Sequence, residues 1–171
     1  MNKDVFARSI GLLGEDNFNK IQDKVIAIFG LGGVGGTALE ALVRTGFKHF
    51  LIVDFDKVDP SNLNRQILYT SKDIGKNKVE VAKERILLIN EEADIKTFCL
   101  KAQEFDFNQK IDFIVDAIDD VNGKLYLLSK AKEKDIPFIM SLGMANRFDP
   151  SKVKIAKLNQ THSDPLAKKI R

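Results

Sequence analysis

The chain has 171 residues, 44% hydrophobic and 30% charged, and its 27 basic and 24 acidic side chains leave a net charge of +3. That length suits one well-buried domain. No apolar run approaches the roughly 18 residues of a membrane span, the Met1-Asn2-Lys3-Asp4 start is not that of a signal peptide, and so small a charge excess is no argument for nucleic-acid binding. The single cysteine, Cys99, excludes an internal disulfide or a cysteine-based zinc site and points to a reducing, cytoplasmic setting.

Residues 3–22 carry Val5, Phe6, Ile10, Leu13, Phe18 and Ile21 at spacings near three and four. One or two amphipathic helices are expected there, broken by Gly11 and Gly14. A buried strand is expected over 25–29, where the chain is apolar throughout. It runs into Gly30-Leu31-Gly32-Gly33-Val34-Gly35-Gly36, five glycines in seven residues. A helix then follows from about 34 to 45, with Val34, Ala38, Ala41, Leu42 and Thr45 on one face and Gly46 at its end. Strand, glycine turn and helix are the context that gives a G-x-G-x-x-G its meaning. Gly30, Gly32 and Gly35 hold those positions, with Gly33 among them. Bare backbone and free amides at a helix start suit a phosphate. A tight turn without a ligand is the plainer alternative.

Phe50-Leu51-Ile52-Val53 is a second buried strand that delivers Asp54 to its carboxyl end, 24 residues after Gly30. That is near the ~20 expected of an acid that hydrogen-bonds a ribose; Asp56 is a weaker claimant. Residues 57–75 form a connection longer than the usual two to six residues. It is dense in side chains able to hold an anion or donate hydrogen bonds: Asn62, Asn64, Arg65 and Gln66. A helix from Lys76 to about Asn90 follows, with Val79, Ala82, Ile86 and Ile89 inward. Lys76 and Lys78 open it, where cations oppose the helix dipole, which suggests a phosphate nearby.

A third strand is expected over 94–100, with Cys99 packed inside it, and a fourth over 111–118. The fourth ends in a cluster of three carboxylates, Asp116, Asp119 and Asp120. A helix over 122–134 with Leu125, Leu128 and Ala131 inward, a strand over 136–141 and a turn over 142–146 come next. Val153 to Leu158 alternates as a strand with one solvated face would. A linker and a short helix from Asp164-Pro165 end the chain, which reads as part of something longer.

Strands alternating with helices predict an α/β, doubly wound, Rossmann-like and mostly parallel sheet with helices on both faces. Its ligands sit at the carboxyl ends of the strands. The expected divisions are a helical segment over 1–22, the nucleotide-binding domain over 23–158 and the start of a further region over 159–171. A dehydrogenase would need only the glycines and Asp54. Arg65, Lys78 and a second set of carboxylates go beyond that. Extra cations balance a triphosphate during transfer, and magnesium takes one or two carboxylates plus phosphate oxygens. The set favours ATP with Mg2+ over redox chemistry.

Gly30-Leu31-Gly32-Gly33-Val34-Gly35, Asn62-Leu63-Asn64-Arg65-Gln66, Lys78 and Asp116-Ala117-Ile118-Asp119, in that order, resemble the ATP-binding core of the ubiquitin-activating-type adenylyltransferases. Within that family the pattern is most similar to the tRNA threonylcarbamoyladenosine dehydratases. The further residues behind that choice are Arg8 with Leu12-Leu13-Gly14-Glu15, Arg85-Ile86 before Ile89-Asn90, Asp149-Pro150 and Asp164-Pro165-Leu166-Ala167. The resemblance implies that Asp54 binds ribose and that Asn62, Arg65 and Lys78 contact phosphates. It implies that Asp119 holds magnesium and that Arg8 reaches the nucleotide of a neighbouring subunit in a homodimer. The implied chemistry is adenylation of a carboxylate: one attached to tRNA, or the C-terminus of a ubiquitin-like sulfur carrier, with a cysteine desulfurase or sulfur acceptor as a further partner. Gly36 stands where the family usually has a small polar residue, and the family's catalytic cysteine and zinc motifs would lie beyond Arg171. A nucleotide-binding scaffold without turnover is the third alternative.

Overall fold

The computed structural model describes residues 3–143 and 148–171. Five strands form one sheet: β1 (Val25–Phe29), β2 (His49–Val53), β3 (Asp94–Phe98), β4 (Phe113–Asp116) and β5 (Phe138–Met140). Their order is β3-β2-β1-β4-β5, with every neighbour parallel. Parallel neighbours require crossovers, and helices supply them: α3 (Gly33–Thr45), α4 (Lys78–Leu87) and α5 (Val121–Glu133). Two helices, α1 (Ala7–Leu13) and α2 (Glu15–Gln22), precede the sheet, and α6 (Pro165–Ile170) ends the chain.

Strand side chains alternate between faces, so each central strand feeds two cores. Ile26, Ile28, Phe50 and Ile52 pack with Leu39 and Val43 of α3 and Val79, Ala82 and Ile86 of α4. Ala27, Phe29, Leu51 and Val53 pack on the other face with Phe105, Phe107 and Leu127 and Ala131 of α5. The sheet is therefore covered on both sides, as the unbroken apolar runs imply. Among the described residues no helix is long and apolar enough to cross a membrane.

Several expectations are corrected in detail. Gly14, at φ +78°, makes the break between α1 and α2, whereas Gly11 lies inside α1. The buried stripe of α3 is Gly35, Gly36, Leu39 and Val43; Val34 and Ala41 face solvent. The helix starts at Gly33, and Gly33 and Gly35 lie against backbone, which turns the whole stripe. A Cβ on Gly36 would press Leu68 at 3.0 Å, so glycine there makes room for the long loop. In α5 the inward residues are Gly123, Lys124, Leu127 and Ala131, not Leu125.

Cys99 is exposed rather than packed, because β3 is an edge strand that ends at Phe98. Residues 153–157 are extended but join no strand ladder, and Ile155 is 92% exposed. Their alternation is real; what they lack is a neighbouring strand among the described residues. Most of the turn expected over 142–146 lies outside the described residues.

Within the N-terminal helical segment Phe6 packs on Phe18 of α2. Phe18 fills the space left by the missing side chain of Gly46, and the Gln22 amide donates to the Gly46 carbonyl. That contact lies at the C-terminal end of α3, about 20 Å along the helix from the glycine turn.

Candidate functional site

The strand order reverses between β1 and β4, and the crevice at such a switch point is where open α/β sheets bind ligands. Gly30 leaves β1 there at φ +85°, with its N–H bonded to the Val53 carbonyl at 2.8 Å. A Cβ on Gly30 would stand 2.8 Å from the Ala117 backbone, and one on Gly35 would collide with the Gly30 carbonyl. These two glycines let β1, β4 and α3 meet at a distance no side chain permits. Gly32 is the cap residue of α3, with no side-chain cap hydrogen bond. The first amides of a 13-residue helix thus reach the crevice without a side-chain acceptor.

Asp54 holds this turn in place. Its Oδ2 accepts from Leu31 N–H at 2.6 Å and its Oδ1 from Asp56 N–H at 2.9 Å. Burial pushes its carboxyl above the ordinary value, against the pull of those two amides and of Lys78. Each oxygen keeps a second lone pair, so a hydroxyl can still bind it. Asp56 is half exposed and pairs with the buried Lys78 amine at 2.8 Å. Lys78 is the first residue of α4, and its amide bonds the Asp56 carbonyl at 3.0 Å. Lys76 instead pairs with Asp73 at 3.0 Å.

The long connection folds over the turn. Leu68 and Tyr69 are buried, and the Tyr69 hydroxyl donates to the Leu31 carbonyl at 2.8 Å. Asn62 is buried and builds this loop: its Oδ1 accepts from Asp59 N–H, and its carbonyl accepts from the amides of Arg65 and Gln66. The Arg65 carbonyl would stand 3.2 Å from a Cβ on Gly33. Its exposed guanidinium donates through Nη1 to the Ser61 carbonyl and to Asn64 Oδ1, and the remaining donors are available. Gln66 is buried with its Nε2 beside Gly32, and its Oε1 has no hydrogen-bond partner among the described residues. That oxygen is an acceptor, able to take an N–H or hydroxyl but not a phosphate oxygen.

The expected trio of carboxylates does not gather. Asp116 is fully buried and pairs with the fully buried Lys124 at 2.9 Å; Lys124 also donates to the Ser141 carbonyl at 2.8 Å. Burial pushes the Asp116 carboxyl up, against Lys124, and its Oδ2 has no hydrogen-bond partner among the described residues. Asp120 caps α5 by accepting from Gly123 N–H at 2.6 Å. Asp119 alone is exposed at this edge with no hydrogen bond or ion pair among the described residues. Those residues hold no group of three His, Cys, Asp or Glu able to bind a metal. One free carboxylate nonetheless suits a magnesium ion whose other ligands are phosphate oxygens and water. Arg8 is exposed on α1, in the segment anchored at the far end of α3.

A family model described as the ThiF family matches residues 6–161. The chain belongs to that family. It is 37% identical to a tRNA threonylcarbamoyladenosine dehydratase of Bacillus subtilis, over 97% of this chain and 67% of that protein. It is 36% identical to the Haemophilus influenzae protein of the same name, over 91% of this chain and 61% of that one. Among solved structures it matches the Escherichia coli tRNA N6-threonylcarbamoyladenosine dehydratase in complex with ATP. The TM-score is 0.94 at 33% identity, covering 99% of this chain and 71% of that chain. The chain thus spans about two thirds of the length of these relatives.

Sequence reasoning missed Lys124 and Tyr69. Lys124 had a usable signal, since it sits three and seven residues before Leu127 and Ala131 on an apolar stripe. A lysine at such a position is almost never fully buried unless paired. Tyr69 offered none, because its partner is a backbone carbonyl 38 residues away.

Proposed function

We propose that this ThiF-family chain binds ATP at the glycine turn and adenylates a carboxylate carried on tRNA, as the step before ring closure at a threonylcarbamoyl-modified adenosine. The observation that carries the proposal is the uncapped start of α3, flanked by Arg65 and the Asp56–Lys78 pair. The identity to dehydratases, one of them solved with ATP, supports the choice of substrate.

The diphosphate end of ATP would rest on the α3 amides, and Asp54 would accept from a ribose hydroxyl. Asp56 lies on the same edge beside it. Asn62 and Gln66 would complete the polar wall, while Arg65 and Lys78 would bond phosphate oxygens. Lys78 can turn from the half-exposed Asp56 toward the phosphate without losing a counter-charge. An oxygen of the substrate carboxylate would attack the α-phosphorus. A carbonyl–oxygen–phosphorus bond forms, the bond to the β-phosphate bridging oxygen breaks, and pyrophosphate leaves. Positioned cations stabilise the charge that develops on the phosphate oxygens. A magnesium ion held by Asp119 would neutralise part of that charge. A nucleophile within the modified base would then displace AMP and close the ring. Arg8, whose segment is anchored about 20 Å along α3 from its own glycine turn, would serve the site of a second copy in a homodimer.

Exchange of labelled pyrophosphate into ATP tests the proposal. Exchange that depends on tRNA bearing threonylcarbamoyladenosine is expected. Exchange driven by a ubiquitin-like carrier ending in Gly-Gly would replace the substrate. ATP binding in a calorimeter with no exchange on either would make the chain a nucleotide-binding scaffold.

A further inference from the structure

Charge is unevenly spread along this chain. Residues 150–171 hold six lysines and arginines and one acidic residue, Asp164, while the rest of the chain holds 21 basic and 23 acidic residues. The whole chain's excess of three positive charges therefore comes from its last 22 residues.

Four of these six basic side chains are free among the described residues. Lys154, Lys157, Lys168 and Lys169 are exposed and make no ion pair among the described residues. Lys152 lies 3.6 Å from Asp149 with both side chains exposed, a contact worth little in water. Arg171 donates to the Thr161 carbonyl. The acid of the segment faces inward: Asp164 caps α6 through Leu166 and Ala167 N–H and accepts from Gly143 N–H at 2.9 Å. The Asp164–Gly143 bond returns the chain to the carboxyl edge of the sheet just past β5, and α6 buries Ala167 and Ile170. Residues 148–163 are thus a basic strap that ends where Asp164 is tied beside the carboxyl edge that carries the glycine turn. β5 lies two strands from β1, about 10 Å at the usual strand spacing.

We infer that this strap, with the exposed face of α6, is the surface on which the sugar–phosphate backbone of an RNA docks. Lysine is a strongly hydrated point charge on a flexible stem, suited to phosphates without regard to sequence. A polyanion gripped here is held next to the α3 amides, where the proposed function needs an RNA-borne carboxylate to meet ATP. The inference rests on that reading for its choice of RNA.

The test measures binding of an unmodified tRNA transcript to the 171-residue chain across a salt series. Three double variants are compared: Lys154→Gln/Lys157→Gln on the strap, Lys168→Gln/Lys169→Gln on α6, and Lys20→Gln/Lys110→Gln at the amino edge as control. Each phosphate contact adds about one to the slope of log affinity on log salt. The strap and α6 variants should each weaken binding roughly tenfold and lower that slope by about 2, with the control unchanged. ATP affinity by calorimetry should be the same in all four proteins. Equal losses in all three variants would mean diffuse attraction and overturn the inference. So would unchanged binding in the strap and α6 variants, or a wild-type chain that ignores tRNA and binds an acidic carrier protein. Pyrophosphate exchange separates the two proposals. Strap-dependent binding without exchange leaves the surface standing and removes the enzymatic reading, whereas tRNA-dependent exchange with strap-independent binding does the reverse.

Discussion

Asp56–Lys78 and Asp116–Lys124 are pairs of the same chemistry, closed at 2.8 and 2.9 Å near the carboxyl edge of one sheet. Burial separates them. Both side chains of Asp116–Lys124 are fully buried, and the lysine's other bond, to the Ser141 carbonyl, ties α5 and β4 to the end of β5. Bulk solvent reaches neither partner, so the pair is committed to holding the fold. In Asp56–Lys78 the lysine is buried but the aspartate is half exposed. Solvent can take over Asp56 while the amine turns to an incoming anion. The same two residue types thus make a rivet in one place and a movable cation in the other.

The sharpest way to break this contrast is Lys124→Met, which strands Asp116 in the interior. An unpaired buried charge costs about 3–5 kcal/mol, and chemical denaturation should show a loss of that size. Lys124→Met/Asp116→Leu should recover most of it, because removing both members of a buried pair is often neutral. A single-variant loss below about 1 kcal/mol would mean that the pair is solvated like a surface one.

Lys78→Met leaves Asp56 to water and should cost about 1 kcal/mol of stability. Its larger effect falls on chemistry: pyrophosphate exchange should drop about 100-fold, the order seen when a preorganised charge-stabilising donor is lost. A stability loss matching that of Lys124→Met would erase the distinction between the pairs. Arg65→Ala extends the comparison to a cation with no carboxylate partner. Melting should change by less than about 0.5 kcal/mol, as for an exposed side chain, while exchange falls about 100-fold. Unfolding of this variant would remove Arg65 from the phosphate site.

The smallest effect concerns pH. The Thr70 hydroxyl and Lys76 hold the Asp73 carboxyl down to about 2 from its ordinary 3.8. A depressed carboxylate stabilises the fold above the unfolded value, and that contribution is lost as pH falls through the folded one. Asp73→Asn should therefore flatten the acid limb of an unfolding profile between about pH 4 and 2. Asp54 and Asp116, raised by burial, act in the opposite sense: the native state holds their protons longer, so stability falls as pH rises past the ordinary value.

The glycine turn, Asp54, the Asn62–Gln66 loop and Lys78 were legible because their spacing and flanks are local. The parallel, doubly covered sheet followed from buried apolar runs alternating with helices. The carboxylate cluster was misread because three nearby acids look alike in one dimension. Asp116 turns inward to Lys124, Asp120 turns back to cap its own helix, and Asp119 alone of the three makes no hydrogen bond or ion pair among the described residues. The strand expected over 153–158 failed for a related reason, since alternation marks a capacity to pair and pairing needs a neighbour.

Composition, periodicity and motif spacing by themselves determined the parallel sheet, the glycine turn at its switch point and the loop of polar side chains beside it. Each depends on properties that recur every two or nearly four residues, or within one turn. Only the tertiary structure decided which lysine is a rivet and which is free to move, which carboxylate remains available, and where the basic end of the chain returns to the sheet. Those outcomes depend on solvation and on contacts between residues far apart in sequence. A charge has the same letter whether it lies in water or in the core, and only packing says which.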